Sequence, residues 1–205
     1  MMLQCWWLVL VLLLIWVYSR VRSRFCVATR GKVRTMIILG SGGHTAEMLS
    51  YVNILTHEYS PQIYVLASSD QMSEAKLLQL MQLKETEYIL ERIPRAREVR
   101  QPFLSSTFST IRGFMGAFPL IFRHRPDLIL CNGPGTCIPV CFVAYFLCVL
   151  FWRPLVIVYV ESICRTKTLS VSGRLLYYTR FTDIIVQWPE LQALYPRSKY
   201  LGLLS

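Results

Sequence analysis

The chain has 205 residues, of which 54% are hydrophobic and 17% charged, and it carries a formal net charge of +10. That apolar fraction excludes intrinsic disorder, and 10 glycines with 10 prolines exclude a collagen-like or low-complexity chain. A positive charge of this size points to an anionic partner, which could be a nucleic acid, a membrane or a substrate.

The positive charge is concentrated near the N-terminus. No Asp or Glu precedes Glu47, whereas six basic residues lie close together: Arg20, Arg22, Arg24, Arg30, Lys32 and Arg34. A nucleic-acid binder more often distributes basic residues over a folded face with aromatic residues between them. A juxtamembrane tract is instead attracted to anionic lipid, by roughly 1 kcal/mol per residue near the surface. We therefore expect a lipid bilayer and no nucleic acid as a partner.

An uncharged run of 19 residues precedes this tract, close to the ~20 residues that span a hydrocarbon core. Trp6, Trp7, Trp16 and Tyr18 lie near its ends, as is typical of membrane interfaces. The alternative is a cleaved signal peptide, which the missing charged n-region and missing small-x-small site disfavour. The sequence predicts a transmembrane anchor over residues 1–19, a basic linker over 20–34 and, by the positive-inside rule, a cytosolic domain over 35–205.

The seven cysteines indicate a reducing compartment. Their number is odd and no C-x-x-C pair occurs, which favours buried reduced thiols over disulfides or a zinc site. We expect neither a metal nor a cofactor.

From residue 35 onward, short apolar runs alternate with longer amphipathic ones. The predicted strands are Thr35–Leu39, Gln62–Ala67, Tyr88–Ile93, Asp127–Cys131, Leu155–Val160 and Asp183–Gln187. The predicted helices are Thr45–Thr56, Ser73–Leu83, Phe108–Arg123, Pro139–Phe151 and Ser170–Thr179, and the longest predicted loop is Pro94–Ser106. This alternation predicts an α/β domain with one doubly wound, Rossmann-like parallel sheet.

One predicted helix has two possible environments. The run from Cys137 to Trp152 has no charged residue but is short for a membrane span and contains Pro139. Flanking strands at short spacing favour a crossover helix on the sheet. Contact with one leaflet of a membrane is the alternative.

The first candidate binding loop follows the first strand and reads Gly40, Ser41, Gly42, Gly43, His44 and Thr45. Ligands bind beyond the carboxyl ends of parallel strands, and a glycine turn opening a helix favours an anion such as phosphate. The loop is neither a Walker A motif nor a dinucleotide motif. His44 adds a titratable ring. The alternative is a tight turn in which Thr45 or His44 caps a helix.

Two more strand ends carry polar residues. The second loop reads Asn132, Gly133, Pro134, Gly135 and Thr136, with two polar side chains on a restricted backbone. Glu161 follows the fifth strand, where a carboxylate is costly unless it is solvated or paired. It could bind a sugar hydroxyl or orient a base, or it could cap a helix. Arg165 could meet a diphosphate or be solvated.

These motifs together resemble a known family. The stretches GSGGHTAEM, IPRAREV, PDLILCNGPGTCIP, VYVESICR, TLSVSG, IVQWPEL and YPRSKYLG cover nearly the whole chain. They are similar to the membrane-anchor subunit of eukaryotic UDP-N-acetylglucosamine transferase. The resemblance implies the acceptor-side half of a GT-B glycosyltransferase, with a soluble donor-binding subunit as partner. The bacterial peptidoglycan N-acetylglucosaminyltransferase looks similar but carries both halves in one chain.

The implied reaction adds the second N-acetylglucosamine to N-acetylglucosaminyl-diphosphodolichol at the endoplasmic reticulum, in lipid-linked oligosaccharide synthesis for protein N-glycosylation. UDP-N-acetylglucosamine would be held mainly by the partner. A GT-B enzyme needs two α/β units, and the residues after the anchor supply one.

Residue roles implied by the resemblance follow from matched motifs. His44 corresponds to a proposed general base, and Glu161 to an acceptor contact. The two glycine loops and Arg165 would hold the acceptor's diphosphate and sugar, and residues 195–205 would dock the partner. Two other functions remain open: a membrane scaffold with structural loops, and an independent Rossmann enzyme in which Asp70 binds a ribose.

Overall fold

The computed structural model describes residues 11–13, 16, 31–84, 87–94, 103–133, 135–151 and 153–204. Most of the predicted anchor (1–19) and of the basic linker (20–34) lies outside the described residues. Within the described ranges, no helix combines the length and the apolar character that crossing a membrane requires.

Strands and helices alternate from residue 35 to the C-terminal region. In chain order they are β1 (Thr35–Ile38), α1 (Gly43–Asn53), β2 (Gln62–Ala67), α2 (Gln71–Lys84), β3 (Tyr88–Ile93), α3 (Phe103–His124), β4 (Leu128–Asn132), α4 (Cys137–Leu150), β5 (Val156–Val160), α5 (Val171–Thr179), β6 (Asp183–Val186), α6 (Pro189–Leu194) and β7 (Lys199–Tyr200). The strands form one parallel sheet in the order β3-β2-β1-β4-β5-β6-β7. The prediction of an α/β fold with a doubly wound parallel sheet is therefore confirmed.

Both faces of this sheet are covered, which explains the nearly continuous apolar strand sequences. Successive side chains of a strand point to opposite faces. Met36 and Ile38 belong to a core with α3 and α4, whereas Ile37 and Leu39 belong to a second core with α1 and α2. The sheet is thus the middle of three layers.

The order of the strands fixes where a ligand site can form. The chain runs outward from β1 through β2 to β3 and then crosses to β4 on the other side of β1. Ile38 is in register with Cys131, and Asn132 with Val160. The loops that follow β1, β4 and β5 therefore begin side by side, at the switch point where open α/β sheets bind ligands.

The helix over Pro139–Phe151 is a crossover helix, as the flanking strands favoured. Helix α4 buries Val140, Ala144 and Leu147 against the sheet, while Phe146 and Leu150 are exposed. Pro139 lies in its first turn, where a missing N–H breaks no helical hydrogen bond. The predicted start of the third helix was wrong, because α3 begins at Phe103, inside the predicted loop. Helix α6 and strand β7 were not predicted.

Candidate functional site

Three neighbouring strand ends contribute side chains to one polar cluster. It consists of His44 and Glu47 on α1, Asn132 at the end of β4, and Ser162 just after β5. Asn132 is 0% exposed and Ser162 is also buried, while His44 and Glu47 are half-buried. We call these four residues the polar tetrad.

The four residues of the polar tetrad form one continuous hydrogen-bond network. His44 Nδ1 lies 2.7 Å from Asn132 Oδ1. Asn132 Nδ2 donates to Glu47 Oε2 at 2.7 Å, and Ser162 Oγ donates to Glu47 Oε1 at 2.8 Å. The sequence placed His44 and Asn132 at this edge, and the structure brings them into contact.

The backbone turns at this edge require glycine at two positions. Gly42 precedes α1 with φ of 65°, and Gly133 follows β4 with φ of 87°. A Cβ atom on Gly133 would lie 2.5–2.7 Å from three atoms of the His44 ring. The imidazole therefore packs directly on the second loop, and only glycine permits that contact.

Thr45 shapes the first loop from inside. Its hydroxyl donates to the carbonyl of Gly40 and lies 2.6 Å from Ser73 Oγ, and the side chain is 0% exposed. Helix α1 begins at Gly43 without a side-chain cap, so the capping alternative for Thr45 and His44 is wrong. Thr45 acts on the shape of the loop rather than through a surface contact.

Asp70 is also accounted for within the fold. Its carboxylate accepts hydrogen bonds from the backbone N–H and the hydroxyl of Ser73, at 3.1 Å and 2.8 Å. These bonds satisfy a donor of the first turn of α2. Both carboxylate oxygens of Asp70 thus bond to Ser73, which disfavours the alternative in which Asp70 binds a ribose.

Glu161 is buried behind the edge of the sheet, with 1% of its surface exposed. Its Oε2 accepts from Ser170 N at 2.8 Å and its Oε1 from Ser162 N at 3.2 Å. Burial raises the pKa of Glu161 above its usual value, although the hydrogen bonds from Ser170 act in the opposite direction. This geometry favours a role in holding segment 162–170 over the predicted direct contact with an acceptor.

The other predicted site residues that the structure describes lie in the same three loops, after β1, β4 and β5. Gly42 and Gly43 are exposed, Ser41 and Gly135 are half-buried, and Thr136 is buried just before α4. Pro134 lies outside the described residues. Arg165 is exposed in the loop after Glu161, and its backbone N–H donates to the Ser162 carbonyl at 3.0 Å.

Two helices begin at this same edge, α1 at Gly43 and α4 at Cys137. The N-terminus of a helix presents unpaired N–H groups and the positive end of the dipole, which together favour an anion. Within the described ranges, no group of three His, Cys, Asp or Glu residues could hold a metal ion. The edge can therefore offer a histidine ring, polar side chains and anion-binding backbone.

Comparison with known proteins identifies the family. The model of the family described as "Oligosaccharide biosynthesis protein Alg14 like" matches residues 35–204. The chain belongs to this family. A Rattus norvegicus protein named UDP-N-acetylglucosamine transferase subunit ALG14 is 49% identical over 94% of this chain and 92% of its own length. The Homo sapiens and Schizosaccharomyces pombe proteins of that name are 44% and 40% identical, over 95% and 83% of this chain and 92% and 82% of theirs.

The fold of this Alg14-family chain is also found in a solved bacterial structure. The crystal structure of Acinetobacter baumannii MurG superposes with a TM-score of 0.59 at 15% identity. The match covers 83% of this chain and 45% of the MurG chain, so this chain spans less than half of that protein. The likeness supports a GT-B-like, Rossmann-like fold.

Sequence reasoning missed Glu47 as a member of the polar tetrad. Glu47 was not singled out, although it lies three residues after His44 and therefore on the same face of a helix. The predicted helix began at Thr45, which left His44 in the loop and hid that relation. Ser162 was noted only as the neighbour of Glu161.

Proposed function

We propose that this chain is the membrane-anchored, acceptor-binding subunit of a UDP-N-acetylglucosamine transferase. The observation that supports this most strongly is the name shared by the relatives, each of which is called a subunit of that transferase. Those relatives are matched over most of their length. The family model spans residues 35–204, a range that contains the polar tetrad.

The geometry fits one side of a two-sided cleft. The described residues contain a single sheet, and His44 lies at its carboxyl edge. A sugar transfer between two large substrates needs a second surface that holds the nucleotide donor. We assign that surface to a soluble donor-binding subunit, which would form a heterodimer with this chain and hold most of the UDP-N-acetylglucosamine.

The acceptor in this proposal is N-acetylglucosamine on diphosphodolichol, which receives its second N-acetylglucosamine. Its diphosphate would lie at the N-termini of α1 and α4, where backbone N–H groups of the glycine loops favour an anion. Arg165 is exposed in the loop after β5 and would contribute positive charge from there. His44 would take the proton from the attacking hydroxyl during an inverting displacement. This reaction belongs to lipid-linked oligosaccharide synthesis for protein N-glycosylation.

A lipid acceptor requires a domain close to the bilayer, which we place at the endoplasmic reticulum with the domain in the cytosol. Besides the predicted anchor, the outer face of α3 and α4 carries exposed apolar side chains: Met115, Phe118, Phe122, Phe146 and Leu150. Arg125 lies over the Phe122 ring, 5.4 Å from its centroid. Apolar groups beside cations suit an anionic membrane surface.

Two methionines of equal exposure test the membrane contact. Met115 on α3 is 70% exposed and Met72 on α2, beyond the opposite face of the sheet, is 73% exposed. We expect Met115→Trp fluorescence to shift to the blue when the full chain is moved from detergent into anionic vesicles. Met72→Trp should not shift. Equal behaviour of the two variants would contradict contact through α3 and α4.

The partner would dock partly on the C-terminal segment, as the sequence predicted for residues 195–205. Leu201 and Leu203 are 60% and 59% exposed there. The N–H of Leu204 donates to Gln187 Oε1 at 3.1 Å, which ties the segment to the end of β6. Leu201→Ser with Leu203→Ser should reduce capture of the partner, whereas Met72→Ser should not.

Co-purification from membranes tests the whole proposal. We expect the full chain, expressed with a tag in eukaryotic cells, to retain a soluble glycosyltransferase subunit. Transfer to the lipid acceptor should require both chains. Transfer by this chain alone, or full activity of the soluble subunit without it, would contradict the proposal. A captured subunit combined with unchanged transfer by the His44→Ala variant would favour a membrane scaffold.

A further inference from the structure

We infer that Glu47 is a positioning residue that fixes the tautomer of His44 through the amide of Asn132. The fixed form carries its hydrogen on Nδ1 and keeps the lone pair on Nε2. This inference deepens the proposed function, since it rests on His44 as the base of that reaction. The tautomer itself can be observed without any transfer assay.

The hydrogens that each group can donate determine the orientation of the Asn132 amide. A carboxylate only accepts hydrogen bonds, so the Asn132 atom 2.7 Å from Glu47 must be the amide nitrogen. The amide oxygen therefore points to His44, 2.7 Å from Nδ1. An amide oxygen only accepts, so Nδ1 must carry the hydrogen. Glu47 thus decides the tautomer of a ring that it does not touch.

The surroundings prevent this arrangement from relaxing. Asn132 is 0% exposed at the end of β4, and the His44 ring packs on Gly133. The second carboxylate oxygen of Glu47 is held by the hydroxyl of Ser162 at 2.8 Å. Rotation of the Asn132 amide by half a turn would bring its oxygen against the carboxylate and its NH₂ against Nδ1–H.

The consequence for catalysis follows from the proton that has to move. The acceptor hydroxyl oxygen bonds to the anomeric carbon of the donor, and the bond from that carbon to the diphosphate oxygen breaks. UDP leaves with the electron pair, and the hydroxyl proton passes to His44 Nε2. The imidazolium that forms keeps its Nδ1–H bond to Asn132, and the negative charge of Glu47 stabilises it through that amide.

Nitrogen NMR of the ring measures the tautomer directly. The chain has three histidines, so histidine labelled with ¹⁵N gives three ring patterns, and His44→Ala identifies the relevant one. We expect Nδ1–H for His44 in the wild-type heterodimer. The internal reference is His124, whose Nε2 lies 2.7 Å from Glu91 Oε1 and therefore carries the hydrogen there.

The Glu47→Gln variant keeps the size of the side chain but no longer dictates the orientation of the amide. We expect a mixture of His44 tautomers and a fall in kcat of about 10- to 100-fold, within the range that a positioned base contributes. The KM for the lipid acceptor should stay within about twofold. Glu58→Gln, which removes an equal charge from an exposed loop, should change neither the tautomer nor kcat.

Asn132→Leu gives a second approach, because it removes the connecting amide. It should yield the same mixture of tautomers while Glu47 is intact. Nε2–H on His44 in the wild type, or an unchanged Nδ1–H form in Glu47→Gln, would overturn the inference and leave the proposed function standing. A mixture in Glu47→Gln together with full transfer by His44→Ala would support the assigned tautomer but refute His44 as the base, and with it the positioning role of Glu47 in catalysis.

Discussion

The two edges of the sheet hold their carboxylates in different ways. At the amino edge, Asp127 just before β4 accepts from the backbone N–H of Arg34 at 3.2 Å and from its Nε at 3.3 Å. At the carboxyl edge, Glu47 and Glu161 accept from an amide, a hydroxyl and backbone N–H groups, all of them neutral. A cation beside a buried carboxylate compensates its charge, whereas neutral donors leave that charge available to act on other groups.

Strand β4 runs from the amino edge to the carboxyl edge of the sheet within a few residues. Asp127 precedes it and Asn132 ends it. The Arg34–Asp127 pair at the amino edge fixes the start of the domain, whereas the carboxyl edge positions the histidine that we propose as the proton acceptor. Substitutions at the amino edge should therefore change stability and leave turnover alone, and those in the polar tetrad should do the reverse.

The largest effect should come from His44→Ala. Because the proposed base is removed, transfer by the heterodimer should fall by about 10²- to 10⁴-fold, while capture of the partner and the unfolding midpoint stay close to wild type. Rates are measured with UDP-N-acetylglucosamine and a lipid-linked acceptor. His57→Ala is the control, since His57 is exposed in the loop between α1 and β2. A normal rate of transfer by His44→Ala would contradict a role of the carboxyl edge in proton transfer.

Gly133→Ala should affect both quantities. A Cβ would strain a backbone with φ of 87° and push into the His44 ring. We expect a loss of about 1–3 kcal/mol in the free energy of unfolding and a fall in kcat of about 10-fold or more, because misplacing a reacting group is costly. Gly135→Ala is the control for stability, since a Cβ at Gly135 meets no atom within 4 Å. Equal stability of the two variants would contradict the packing described.

Asp127→Asn should lower stability alone. It replaces the charged acceptor of the two Arg34 bonds, so we expect a loss of about 1–3 kcal/mol in the free energy of unfolding. The kcat per folded heterodimer should not change, because Asp127 lies at the edge opposite His44. Urea titration and transfer assays on one preparation measure both quantities. A fall in kcat without a loss of stability would break the distinction between the edges.

The smallest effect should be the pH dependence that Glu161 contributes. Burial raises its pKa in the folded chain above the ordinary 4.5, and hydrogen bonds from Ser170 offset part of that effect. The folded chain then binds this proton more tightly than the unfolded chain, so stability falls as pH rises above 4.5, until the folded pKa is passed.

Glu161→Gln removes that titration. We expect the free energy of unfolding of the wild type, minus that of Glu161→Gln, to decrease as the pH rises above the ordinary pKa of 4.5, until the folded pKa is passed. Urea titrations of both chains at several pH values in this interval give the difference. A difference that stays constant or grows with pH would contradict a raised pKa.

Most of the sheet could be predicted from the sequence, because its strands are apolar on both faces. The runs Gln62–Ala67 and Tyr88–Ile93 became strands with the predicted bounds. Three other strands differed by one residue at one end, and β4 differed by one residue at each end. The two-residue strand β7 and the six-residue helix α6 are too short to give a periodic pattern. The start of α3 was missed because the sequence before Phe103 is polar and gives no clear signal for the start of a helix.

The candidate site could be predicted only in part. Glycine loops and strand ends located the correct edge, because backbone turns leave a local pattern in the sequence. The bond from Asn132 to Glu47 joins residues 85 positions apart and depends on the order of the strands. The burial of Glu161 could not be predicted either, since a carboxylate after a strand can turn outward or inward.

The pairing of Ile38 with Cys131 sets the ends of β1 and β4 side by side. The lengths of these strands therefore determine whether His44 and Asn132 can meet. Inserting one residue into β4 would advance its end by about 3.3 Å and exchange the faces of its side chains. The amide would then leave the imidazole even though every apolar residue could still be buried. In this molecule the count of residues between two turns carries as much functional information as the identity of the residues within them.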